Sequence, residues 1–80
     1  SERMATAYDM GQEVLIKTVS EKGLSVREAA IRPYSGHTGM ISDYHWIEPP
    51  SGQIFYLYTV RIGDTSKEIV LYEDEIEAVY

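Results

Sequence analysis

Eighty residues, 44% of them hydrophobic, with no cysteine and a net charge of −6, describe one small acidic domain. A domain of about 60 residues buries only about 60% of the surface its unfolded chain exposes, so one thin core is expected and a deep, water-free active site is not. The absent thiols exclude disulfides, iron–sulfur ligation and cysteine nucleophiles, and the acidity counts against a binder of phosphate backbones.

The missing disulfides favour a reducing cytoplasm, which is the expected location. Neither a signal peptide nor a run of about 20 apolar residues is visible. Ser1, Glu2 and Arg3 look expression-derived, with the natural chain starting at Met4. Residues 1–10 are expected to form a flexible N-terminus and 11–80 a barrel. Charge is unevenly placed. Up to Ser35 five cations balance five acids, whereas from Gly36 onward Arg61 and Lys67 face eight acids. The C-terminal half therefore carries the whole excess.

Met10-Gly11 is a plausible turn entry, and Gln12 to Val19 alternates as a strand, Val14 and Ile16 against Glu13 and Lys17. Glu21-Lys22-Gly23 breaks the pattern. Ser25 and Glu28 are spaced as a capping box, so Ala29, Ala30 and Ile31 continue a short helix that Pro33 stops; an irregular loop is the other reading. Tyr34 to Gly39 is a turn with two glycines. Met40 to Ile47 follows as a second strand, and Glu48-Pro49-Pro50-Ser51-Gly52 as a loop, because prolines cannot donate to a ladder.

Ile54 to Ile62 carries the strongest strand pattern. Tyr56, Tyr58, Val60 and Ile62 share one face; Phe55, Leu57, Thr59 and Arg61 share the other. Gly63 to Ser66 is a hairpin turn, Lys67 to Tyr72 the next strand, Glu73 to Ile76 one helical turn, and Glu77 to Tyr80 a closing strand. Five short strands joined by turns predict an all-β fold, a small five-stranded barrel or sandwich.

Four segments carry a resemblance: Gly11-Gln12-Glu13-Val14-Leu15-Ile16, Gly36-His37-Thr38-Gly39-Met40-Ile41, Tyr58-Thr59-Val60-Arg61-Ile62, and Leu71-Tyr72-Glu73-Asp74-Glu75-Ile76-Glu77. In this order they resemble SH3-like barrels, those of KOW domains and of small barrel subunits of bacterial enzyme and redox complexes. The latter include the peripheral barrel subunit of photosystem I and the variable chain of ferredoxin–thioredoxin reductase. Arg32-Pro33-Tyr34 and Leu57-Tyr58-Thr59-Val60-Arg61 are also similar to the barrel of nitrile hydratase β subunits. The resemblance implies an SH3-like barrel with a helical turn before the last strand, and an accessory role beside a larger partner. Barrels that dock ferredoxin or RNA are basic, whereas this chain is acidic. The nitrile hydratase metal lies on the other subunit, so no catalytic residue carries over.

Seven tyrosines, Trp46 and Phe55 are many aromatics for this length. Such side chains anchor interfaces. If Tyr56, Tyr58 and Val60 face the core, Phe55 and Leu57 lie outside, unless residues 20–34 or the Pro49-Pro50 loop cover them. Asp43 and His45, with Glu48 and His37, are conceivable zinc ligands. Structural zinc takes four ligands, and ordinary surface side chains are the better reading, so no metal or cofactor is expected. The run Glu73, Asp74, Glu75, Glu77 lacks the spacing of a calcium loop and reads as a solvated face that influences partner choice. The serines and histidines form no nucleophile motif.

The expectation is therefore a non-catalytic protein-docking module, with Arg32, Tyr34, Tyr44, Trp46, Phe55, Tyr56 and Asp74 at the contact. No membrane and no small-molecule substrate is expected. A KOW-like nucleic-acid domain is the alternative, using Lys17, Arg27, Arg32 and Arg61. A nitrile-hydratase-like fragment that needs a partner chain is the third.

Overall fold

A computed structural model of the chain describes residues 7–19 and 25–79. Five strands lie in one antiparallel sheet: β1 (Glu13–Ile16), β2 (Thr38–Ile47), β3 (Phe55–Ile62), β4 (Glu68–Tyr72) and β5 (Ile76–Ala78), in the order β4-β3-β2-β1-β5. The last strand pairs with the first, Ile16 opposite Ile76, which curls the sheet into the expected small SH3-like barrel. A short helix, α1 (Val26–Ile31), and two 3-10 turns (Arg32–Tyr34 and Glu73–Glu75) complete it. The proposed start at Met4, the break at Glu21 to Gly23, and Tyr80 fall outside the described residues.

The core follows the alternation of the strands. Val14, Ile16, Ile41, Tyr58, Val60, Leu71 and Ile76 are almost wholly buried, and α1 adds Ile31. Gly39 lies inside β2, where a Cβ would come within 2.5 Å of Val60 Cγ1 and 2.6 Å of the Arg61 carbonyl oxygen. Close approach explains this glycine; Gly36, with φ 79°, occupies the left-handed conformation that only glycine adopts at no cost.

Several boundaries differ from the sequence expectation. β1 ends at Ile16 rather than Val19, because the backbone turns to other partners there. Ile16 N–H donates to the His37 carbonyl, Lys17 N–H to that of Glu75, and Val19 N–H to Ser35 Oγ. The Ser25–Glu28 capping box is present in both directions. α1 ends at Ile31, ahead of Pro33 as expected, and the chain then enters the Arg32–Tyr34 3-10 turn with Pro33 in its first turn, where a missing N–H removes no internal bond. Ala7 and Tyr8, expected outside the barrel, contact it. Ala7 N–H donates to Tyr58 Oη (3.0 Å), Tyr8 stands edge-on to the Tyr58 ring at 5.3 Å, and Tyr8 Oη–H donates to the Ile76 carbonyl.

The register of β2 against β3 shifts between Ile41 and Asp43. Ser42 is the extra residue, and its hydroxyl donates to the Thr59 carbonyl at 3.3 Å. A one-residue bulge exchanges the two faces beyond it. Tyr44 and Trp46 thereby share the inner face with their cross-strand partners Tyr58 and Tyr56, while Asp43, His45 and Ile47 stand on the outer face opposite Thr59, Leu57 and Phe55.

Candidate functional site

The β2–β3 ladder runs out to Ile47 opposite Phe55, but the β3–β4 ladder ends at Leu57 opposite Tyr72. The last turn of the β2–β3 hairpin therefore projects past β4. Its side chains are apolar on both faces and stand in solvent: Trp46 is 50% exposed, Ile47 45% and Phe55 40%. Trp46 leans on Tyr56 at 6.4 Å between ring centroids. Leu57, placed by the sequence on the same outer face as Phe55, is only 7% exposed, since it stands between His45 and Tyr72 across the two ladders.

Where β4 leaves the sheet, an open groove of about 640 Å³ separates the hairpin tip from the Glu73–Glu75 turn. Its apolar wall consists of Ile47, Pro49, Ile54, Phe55, Tyr56 and Tyr72; its other wall is Glu73, Asp74 and Glu75. No cation, serine or histidine lines it among the described residues.

One side of the groove is fixed by an ionic clasp. Glu75 accepts from Arg27 Nη2 at 2.6 Å, from Arg27 Nε at 3.1 Å and from the Tyr72 backbone N–H at 2.7 Å. Arg27 Nη2 also donates to the Val70 carbonyl at 2.7 Å, and its guanidinium lies 5.3 Å from the centre of the Tyr72 ring. The hydrogen bond it donates to Glu75 raises the Arg27 pKa above its ordinary value, with burial opposing it. Since Ile62 N–H bonds Lys67, alternation leaves the backbone groups of Val70 and Tyr72 on the outer edge of β4. The clasp satisfies groups that an uncovered edge strand would offer to another chain.

The structure gathers some of the expected contact residues and separates others. Phe55, Tyr56 and Asp74 line the groove, Trp46 projects beside it, and Tyr44 is half-exposed on the inner face of β2. Arg32 and Tyr34 lie elsewhere. The Tyr34 ring carries Lys67 Nζ at 5.9 Å, and Lys67 marks the far end of β3, seven residues from Phe55 or about 23 Å at the usual strand rise. Ile47, Pro49, Ile54 and Tyr72 were not singled out from the sequence. Pairing the residues on either side of the Pro49-Pro50 loop would have placed Ile47 against Phe55.

Two of the four cations of the nucleic-acid alternative already face carboxylates, Arg27 with Glu75 and Arg61 with Glu68 at 3.3 Å. Lys17 borders a shallow depression beside Glu28, Asp74 and Glu75. Among the described residues no three of histidine, aspartate and glutamate group as a metal site, and no helix is long and apolar enough to cross a membrane. No family model, curated protein or solved structure matches the chain.

Proposed function

We propose that the chain is a non-catalytic protein-docking domain, an accessory or regulatory component of a larger enzyme complex, that holds its partner at the projecting β2–β3 tip. The observation that carries this reading is the exposure of Ile47 and Phe55 in one groove, with the exposed Trp46 against its lining residue Tyr56. Aromatic anchors in a concave apolar patch dominate the energetics of protein interfaces. The aromatics are not needed there by the core, which is closed by other residues. The nucleic-acid alternative has less support, because two of its three arginines, Arg27 and Arg61, are engaged in ion pairs within the chain.

Affinity purification from native extract, with and without nuclease, compares wild type with Phe55→Ser. A stoichiometric protein retained after nuclease by wild type, and lost by a folded Phe55→Ser variant, is the expected result. Retention of nucleic acid alone would replace docking with the phosphate-binding reading. A partner retained equally by both forms would move the contact away from this groove.

A further inference from the structure

We infer that the groove takes a short apolar segment carrying lysine or arginine, an inference that rests on the docking reading and names its partner's chemistry. The two walls differ in kind. One is a continuous apolar surface from Ile47 to Tyr72, the other a carboxylate rim. Glu75 is engaged by Arg27 and the Tyr72 amide, whereas Glu73 and Asp74 make no hydrogen bond or ion pair among the described residues.

Two carboxylates with no hydrogen bond or ion pair among the described residues, beside an apolar wall, match one class of side chain. Lysine and arginine lay an aliphatic stem on apolar surface and hold a charge at its border. Phe55, which lines the groove and is 40% exposed, also offers a ring face on which a cation is attracted. An acidic segment would meet the rim with like charge, which is costly at a desolvating contact. The net charge of −6 acts in the same direction at longer range, drawing a basic partner toward the domain. The groove volume of about 640 Å³ lies within the usual range of a binding cleft.

The test titrates the full chain, labelled for amide NMR, with three short peptides. One alternates Lys with Val and Phe; in the other two every Lys is replaced by Thr or by Glu. The Lys peptide is expected to shift the amides of Phe55, Tyr56 and Tyr72 to Glu75. Its affinity should fall about tenfold in the Glu73→Lys/Asp74→Lys variant, and it should weaken between about 20 and about 300 mM salt. Equal binding of the Thr or Glu peptide at these same amides would overturn the charge inference and leave docking standing. Failure of all three to reach the groove would overturn both. Concentration-dependent shifts of the groove amides without peptide would also overturn the inference, since the occupant would then be a second copy of the chain.

Discussion

Glu75→Ala removes the carboxylate that three donors share. The Tyr72 amide loses a capping bond of 2.7 Å, worth about 1 kcal/mol by analogy with helix N-caps. The pair with Arg27 is tighter in distance, 2.6 Å, but the two side chains are 41% and 20% exposed. Solvent screening therefore limits the pair to about 0.5 kcal/mol. Together these place the loss near 1.5 kcal/mol, a fall in Tm of roughly 6 to 12 °C for a domain of this size. Arg27→Ala, which returns the Val70 carbonyl to water, should cost about 1 kcal/mol. The double variant should cost less than the sum, with a coupling energy of about 0.5 kcal/mol. Urea unfolding followed by circular dichroism supplies all four corners of the cycle. Strict additivity, or a Glu75→Ala variant as stable as wild type, would refute the clasp and with it the account of how the β4 edge is covered.

The two informative glycines should separate by mechanism. Gly39→Ala forces a Cβ into Val60 and the Arg61 backbone and should cost about 3 kcal/mol, whereas Gly36→Ala meets no atom within 4 Å and should cost only about 1 kcal/mol for its left-handed backbone; equal losses in urea would contradict this. Burial raises the Tyr58 pKa above its ordinary value, against the lowering effect of the Ala7 N–H. The unfolded chain therefore ionises first, so the stability from neutral Tyr58 is complete below about pH 10 and is lost as pH rises through the folded value. Thermal melts across alkaline pH should show this decline, and Tyr58→Phe should flatten it. Phe55→Ser, at the tip, should change stability by less than about 0.5 kcal/mol while abolishing partner retention; a large loss of stability would mean that Phe55 serves the fold instead.

Much of the fold could be read from alternation and turn chemistry, because those signals are local. Tyr58, Val60 and Ile62 declared an inner face, and the Ser25–Glu28 spacing declared a cap, without knowledge of the rest of the chain. The bulge at Ser42 could not be read in this way. Nothing in Met-Ile-Ser-Asp-Tyr-His-Trp-Ile distinguishes the extra residue, since what selects it is the simultaneous fit of Ile41 to Val60 and of Tyr44 to Tyr58 across the ladder. The same nonlocality governs the site. Trp46, Phe55 and Tyr56 were identifiable as surplus aromatics, but Tyr72 and Asp74 reach them only because β4 ends at Tyr72, opposite Leu57. Tyr34 and Arg32 were grouped with them by residue type, and the path of α1 and its 3-10 extension carries them to the opposite end of β3.

The projection of the hairpin is a consequence of unequal strand lengths. β2 has ten residues and β4 five, and β1 meets β2 only from Thr38 to Met40. The distal half of β2 and the start of β3 thus form a two-stranded ribbon with no third strand beside its tip among the described residues. A ribbon of this kind is marginal alone and persists as the extension of a five-stranded sheet. Polar side chains at its tip would satisfy both solubility and the ladder. Trp46, Ile47 and Phe55 satisfy neither requirement better than threonine or lysine would, since 40 to 50% of their surface stands in solvent. Folding therefore does not account for their identity. The proposed partner that covers them would account for it, and the carboxylates of Glu73 and Asp74 beside them would give that partner its sign.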